Sequence, residues 1–277
     1  MSLRINTNVQ ALAAQRHLSI NHEAQNRSLE KLSSGSRINK AGDDAAGLAI
    51  SEKLKADIRS MKQASRNAND GVSLIQVAEG AMNEQSNILI RLRELSIQGA
   101  SDTIGDVERG FIDKEVQSLK EEFDRIAQVT EFNGTKLLNG QGGDLEIQVG
   151  INNNPFEDRF QYNAAAQNTT TGAMGIEGVS TATKQSAQNN LMQLDAAISK
   201  VNDNRSTLGA LQNRLGSTIN NLAIYTENLS AANSRIRDTD VAEETSELTK
   251  NNILTNSTVT VLGQANANPQ VALKLLG

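Results

Sequence analysis

Cysteine and tryptophan are missing from this 277-residue chain, proline occurs only at Pro155 and Pro269, and aromatic residues make up 3%. Without cysteine there are no disulfides and no thiolate chemistry, and the compartment stays open, because a secreted protein can do without bridges. The shortage of aromatics leaves few bulky fillers for a compact globular core, so long helices are expected. Positive charge is scarce too: the net charge is -5, and no Lys/Arg block or basic aromatic stripe could track a phosphate backbone. Nucleic acid is therefore not an expected partner. No apolar run reaches the length of a spanning helix, so membrane insertion is not expected. The stretch from Met1 to Leu32 also lacks the uninterrupted apolar core of a cleaved signal peptide, so export would need a route that does not read a Sec-type signal.

Catalytic chemistry is equally thin. The two histidines are His17 and His22. "HEAQN" starts like the zinc-peptidase HExxH helix, but Asn26 occupies the place of the second histidine, so that helical face cannot supply two zinc ligands. No nucleophile elbow, phosphate loop or dinucleotide fingerprint is present. Carboxylates alternate with Lys and Arg in the ordinary manner of a solvated helix face. No catalytic, metal or cofactor residues are expected.

What the chain does contain is heptad spacing. Leu194, Val201, Leu208, Leu215, Leu222, Leu229 and Ile236 recur every seven residues, with Ala197, Leu211, Thr218, Tyr225 and Ala232 on the neighbouring line and Asn204 as a polar exception. Alternating steps of three and four make a coiled-coil seam. Leu54, Met61, Ala68, Ile75, Met82 and Leu89 answer it in the first half, again at sevens. A third helix reads Ile112, Val116, Leu119, Phe123, Ile126, and "GASDTIG" (99–105) is the natural break before it. Asp43 or Asp44 can cap the first long helix, where a carboxylate also suits the helix dipole.

From Glu131 the pattern changes. Asn-Gly occurs twice and Leu145, Ile147 and Val149 alternate, which predicts hairpin strands. "AAAQNTTTGAMGIEGVSTAT" reads as a small, polar loop, with helix resuming around Lys184. The predicted fold is mainly α: a long antiparallel helical bundle or coiled coil with a small β-hairpin region.

Both ends carry apolar residues at looser spacing: Leu3, Ile5, Val9 and Leu12 at the start, and Leu248, Ile253, Leu254, Leu262, Leu273, Leu275 and Leu276 at the finish. Fixing a residue costs about 1–2 kcal/mol of backbone entropy, whereas burying one Leu returns about 1.5–3 kcal/mol. One apolar residue in three or four cannot hold an isolated helix. Such ends are expected to order only against partners.

Several long motifs resemble bacterial flagellin: "INTN" (5–8), "LEKLSSGSRINKAGDDAAGLAI" (29–50), "QASRNANDGVSLIQVAEGAMNE" (63–84), "RLRELSIQGASD" (91–102), "EFNGTKLL" (131–138), "LSAANSRIRDTDVAEETSELTKNNIL" (229–254) and the ending "ANPQVALKLLG". The resemblance implies a subunit of the helical flagellar filament, secreted unfolded through the flagellar type III route and located outside the cell. It implies termini that pair as helices in the assembled filament, with residues 1–43 plus 237–277 as an inner coiled-coil domain. Residues 44–236 would form a helical shell, with a β-hairpin and loop region at about 131–183 and an outer domain absent or minimal. The implied partners are many copies of the same chain, an export chaperone, and filament cap and hook-junction proteins. A Toll-like innate-immune receptor is a further implied partner, contacting Arg91, Leu95 and Glu115. Two rival readings stay open at this point: a hook-filament junction protein, and a secreted coiled-coil interaction protein. An enzyme grafted between Gly140 and Thr183 is excluded, since that interval is too short for a separate domain.

Overall fold

The structure is a computed structural model that describes the backbone of residues 7–274 and the side chains of residues 7–267. It is mainly helical, as the heptads predict. In chain order the elements are α1 (Val9–Ser34), α2 (Ala45–Gly99), α3 (Asp106–Val129), β1 (Glu131–Phe132), β2 (Thr135–Lys136), β3 (Asp144–Gln148), β4 (Arg159–Asn163), α4 (Thr171–Met174), α5 (Lys184–Arg237) and α6 (Val241–Lys274). The strands make two separate antiparallel pairs, β1 with β2 and β3 with β4. Two compact units result: Met1–Ile58 with Glu227–Gly277, and Arg59–Thr226.

The Arg59–Thr226 unit has a core of large apolar side chains. Ile75, Met82, Leu89 and Leu92 of α2, Val116 and Phe123 of α3, and Leu194, Val201, Leu208 and Leu215 of α5 are all buried in one cluster. The heptad on α5 changes character beyond it: Leu222, Leu229 and Ile236 are half-buried. Leu54 on α2 is likewise half-buried, while Met61 is buried.

Local chemistry explains the boundaries. Gly99 ends α2, and the buried Arg109 of α3 closes that end: its Nε donates to the Gly99 carbonyl at 2.9 Å and its Nη2 to the Ser101 carbonyl at 2.9 Å. The Gly99 carbonyl would otherwise be an orphan of the last helical turn. The first Asn-Gly makes the β1–β2 turn, with φ of 49° at Asn133 and 78° at Gly134. Two successive left-handed residues give the turn whose twist matches paired strands. The second Asn-Gly, Asn139-Gly140, lies in the connection before β3 and turns no hairpin; the β3–β4 pair is joined instead by residues 149–158. β3 sits close to α2, for a Cβ on Gly71 would lie 2.7 Å from the Ile147 Cδ1.

One expectation holds only in part. The segment from Ala164 to Thr183 is a loop, as read, apart from the short α4, and helix resumes at Lys184, but the loop is not polar throughout. Met174, Ile176 and Val179 plug into the core, and Thr169 and Thr181 are buried. Side chains of neighbouring helices satisfy its backbone. Gln85 donates to the Thr169 carbonyl at 3.4 Å, Lys120 to the Glu177 carbonyl at 2.6 Å, Gln117 to the Val179 carbonyl at 3.3 Å and Asn190 to the Ser180 carbonyl at 2.8 Å. Asp113 accepts from the Ser180 hydroxyl at 2.8 Å and the Thr181 amide at 2.7 Å. Buried irregular backbone is tolerated only when its polar groups are paired in this way. Burial pushes the Asp113 carboxyl up, but the hydrogen bonds from Ser180, Thr181 and Gln117 outweigh it and hold the group below the ordinary carboxylate value.

Candidate self-association surface

The terminal unit is built differently. Asn8 caps α1, its Oδ1 accepting from the Ala11 amide at 3.1 Å, and Gly35 ends the helix at φ 68°. Asp240 opens α6 by accepting from the Ala242 amide at 2.8 Å, and Glu243 and Glu244 add negative charge to that first turn. Between these ends, Ser36 bridges Asp238, and the Arg37 amide donates to the Arg237 carbonyl at 2.6 Å. Arg237 also pairs with Glu52 and holds that carboxyl below its ordinary value. Asp44 is the cap of α2, accepting from the Gly47 amide at 2.8 Å. Its neighbour Asp43 instead closes the preceding turn, accepting from Lys40 at 2.9 Å and Asn39 at 3.1 Å. Those two amides hold the Asp43 carboxyl below the usual range.

With both junctions fixed, α1 and α6 run antiparallel and pack closely. Their register is written in polar side chains. Asn8 Nδ2 donates to the Ala265 carbonyl at 2.8 Å, Asn21 Nδ2 to Thr258 Oγ1 at 3.1 Å and Gln25 Nε2 to Asn252 Oδ1 at 2.5 Å. Lys31 pairs with Glu244 at 3.3 Å. On α1 the inward line is Ala14, Asn21 and Ser28, at intervals of seven, of which Ala14 and Ser28 are buried. On α6 it is Glu244, Asn251, Thr258 and Ala265, again at sevens, with Asn251 and Ala265 buried. This is a second heptad seam whose most buried positions are Ala14, Ser28, Asn251 and Ala265, with Leu18, Leu32, Leu248 and Leu262 half-buried on the adjoining line. A search for large apolar residues passes over it; the sevenfold recurrence of small and amide side chains is the signal that finds it. Small side chains let two helix backbones approach, and each hydrogen bond adds only about 1 kcal/mol net.

Several large apolar residues of these helices are left exposed. Leu12 is 59% exposed and Ile253 60%, and Val9, Ile20, Leu254, Val259 and Val261 are also exposed; Leu262 is half-buried. At 100° per residue Leu12 lies opposite the Ala14–Asn21–Ser28 line, and Val9 and Ile20 lie on its flank, roughly 100–120° away. On another side a groove of about 500 Å³ runs between the helices, floored by Ala13, Ala14 and Ala265 and walled by Leu254 and Val261. The α6 wall carries no charge: Asn251 to Ala267 contains no Asp, Glu, Lys or Arg. Leu3, Ile5, Leu275 and Leu276 lie outside the described residues, as does the side chain of Leu273.

The expected receptor trio is only partly at the surface. Arg91 and Glu115 form an ion pair at 2.8 Å, each side chain about half exposed (50% and 46%), and Arg91 also reaches Glu94 at 3.2 Å. The hydrogen bonds from Glu115 and Glu94 hold the guanidinium further up than usual. Leu95 departs from the expectation: it faces the core and is 2% exposed. Its place on the inward face of α2 beside Leu92 accounts for this, since residues three apart share a helix face. Among the described residues no cluster of three or more acidic, His or Cys side chains could hold a metal.

An exposed apolar surface on a paired helix scaffold is the kind of feature that marks a protein–protein contact. Comparison with known proteins agrees. The bacterial flagellin N-terminal helical region matches residues 5–142, and the bacterial flagellin C-terminal helical region matches residues 191–276. A flagellin of Halalkalibacterium halodurans is 45% identical over 274 residues, covering 98% of this chain and 99% of the relative. A flagellar filament 30.7 kDa core protein of Treponema maltophilum is 43% identical over 284 residues, covering 98% and 99%. The crystal structure of Bacillus cereus flagellin superposes with a TM-score of 0.51 at 33% identity, over 61% of this chain and 94% of that one. A putative flagellar hook-associated protein of Vibrio parahaemolyticus gives a TM-score of 0.58 at 13% identity, over 71% and 100%, a likeness of fold alone. The chain belongs to the bacterial flagellin family, and is thus a structural protein of the flagellar filament and not an enzyme.

Proposed function

We propose that this protein is the subunit that polymerises into the tube of an extracellular flagellar filament used for swimming, and that it is exported unfolded through the flagellar type III route. The observation that carries the reading is the incomplete burial of the α1–α6 pair. Its most buried positions are Ala14, Ser28, Asn251 and Ala265, its leucines Leu18, Leu32, Leu248 and Leu262 are only half-buried, and Val9, Leu12, Ile253 and Leu254 face outward. Each outward Leu or Ile gains about 1.5–3 kcal/mol if a neighbour covers it. Many such contacts, each weak, add up in a polymer whose subunits repeat one heterologous contact. The terminal helices, residues 1–43 with 237–277, then form the inner layer and complete their burial on assembly, and residues 44–236 form the shell around them.

The other partners follow from the same surface. An export chaperone would cover it before assembly, and cap and hook-junction proteins would meet it at the two ends of the filament. A Toll-like receptor would contact the released subunit at the Arg91–Glu115 pair, with Leu95 reaching it only if α2 shifts.

Replacing Leu12 and Ile253 together by Asp tests the reading. The double variant should keep its helix content and change stability by less than about 0.5 kcal/mol, as exposed substitutions do, yet give no filaments by sedimentation and electron microscopy where the wild type does. Filaments of normal length from that variant would overturn the assignment.

A further inference from the structure

Two Asn-Gly pairs stand between α3 and β3, and the fold treats them differently. Asn133 and Gly134 form the exposed tip of the β1–β2 turn, at φ 49° and 78°. The Asn133 carboxamide makes no hydrogen bond to any described residue. The space beside Gly134 is open, since a Cβ built there would meet no heavy atom within 4 Å. Asn139 and Gly140 are half-buried instead, and held from both sides. Asn139 Oδ1 accepts from the Gln141 amide at 2.9 Å. Gly140 lies against Asn168, whose Nδ2 would be 2.7 Å from a Cβ on the glycine. Asn168 is itself fixed, its Oδ1 accepting from the Thr170 amide at 3.0 Å and the Thr170 hydroxyl at 2.9 Å.

We propose that Asn133 is a site of spontaneous deamidation and isoaspartate formation in the folded protein, and that Asn139 is protected from the same reaction. The proposal stands apart from the assembly reading. The backbone nitrogen of Gly134 attacks Cγ of Asn133; the new N–Cγ bond closes a five-membered succinimide, and the side-chain nitrogen leaves as ammonia, carrying the amide proton. Water then opens the ring at one of its two carbonyls. One opening gives Asp with the backbone intact, and the other gives isoaspartate with the backbone routed through Cγ. Glycine is the residue that least crowds the attacking nitrogen, and ring closure needs the Asn ψ to rotate, for which the open tip has room. At Asn139 the same rotation would break the bond to Gln141 and drive the chain into Asn168.

The product has a structural consequence. A two-residue turn of this type needs both central residues at positive φ. Isoaspartate inserts one extra backbone methylene there, so the pairs Phe132 with Thr135 and Glu131 with Lys136 lose their register. The ion pair between Lys136 and Glu131 and the bond from the Leu137 amide to the Thr130 carbonyl close the same hairpin and loosen with it. Either product adds one negative charge at the turn.

The test ages full-length wild type at mildly alkaline pH and maps its peptides by mass, with enzymatic methylation in vitro to count isoaspartate. In the folded chain Asn133 should convert about tenfold faster than Asn139 or more, because Asn139 reacts only from locally opened molecules. In concentrated urea the two should convert at similar rates. Asn133→Gln should remove most of the isoaspartate, since its longer side chain closes a ring poorly. Hydrogen exchange at Thr135 and Lys136 should quicken in aged wild type but not in fresh Asn133→Asp, which carries the charge without the extra methylene. Equal conversion of Asn133 and Asn139 in the folded chain would overturn the proposal, as would a slow Asn133 there or a difference that persists in urea. Unchanged exchange in isoaspartate-bearing protein would overturn the opening of the hairpin.

Discussion

The two compact units differ in how far they cover their large apolar side chains. In the Arg59–Thr226 unit, Leu89, Phe123, Leu194, Val201, Leu208 and Leu215 turn inward and are fully covered. In the terminal unit Ile38 is buried, but the most buried positions of α1 and α6 are Ala14, Ser28, Asn251 and Ala265, Leu18, Leu32, Leu248 and Leu262 are half-buried, and Leu12, Ile20, Ile253 and Val261 are left outside. One unit thus satisfies itself. The other has defined partners and register but little hydrophobic gain, which is what a subunit needs if its ends are to be finished by neighbours.

The contrast can be broken by stability measurements that read each unit separately, using hydrogen exchange alongside urea unfolding. The largest effect belongs to Phe123→Ala: removing a fully buried ring should cost the Arg59–Thr226 unit about 3–5 kcal/mol. A loss below 1 kcal/mol would mean that this core is not what holds the unit.

Next comes Asp113→Ala, which strips the Ser180 hydroxyl and Thr181 amide of their charged acceptor and should cost about 2 kcal/mol at pH 7. Because the Asp113 carboxyl is held below its ordinary value in the folded chain, its contribution is full above the ordinary carboxylate range and disappears as pH falls through the depressed value. The gap between wild type and variant should accordingly close on strong acidification. A gap that widened in acid would contradict the sign of that linkage.

The smallest effect is expected in the polar seam. Asn21→Ala removes one hydrogen bond to Thr258 and should lower protection of α1 and α6 by about 1 kcal/mol without touching the other unit. A loss comparable to Phe123→Ala would erase the difference between the two kinds of interior.

Much of this architecture was legible in advance. Sevenfold recurrence of Leu and Val announces α5, the "GASDTIG" break separates α2 from α3, and Asn133-Gly134 dictates its own hairpin turn. Asn139-Gly140 carries the same dipeptide signal without the result, because the strands that pair next, β3 and β4, are joined farther along the chain. The segment 164–183 misled for a different reason. Composition reports polarity, but not whether Asp113, Lys120 and Asn190 on other helices are placed to satisfy a buried loop. At the candidate surface, the exposed Val9, Leu12 and Ile253 were legible as residues in want of a partner. The Ala14–Asn21–Ser28 line was not, because small polar residues carry no hydropathy signal. The groove between α1 and α6 exists only once two distant helices are set side by side.

By itself the sequence determined the heptad helices α2, α3 and α5, the 99–105 break between the first two and the residues too apolar for water, since period, caps and turn dipeptides act within a few residues. Only the tertiary structure decided which apolar residues are covered by the chain itself and which are left outside, because that depends on contacts between α1 and α6, more than two hundred residues apart, as in the bond from Asn8 to Ala265.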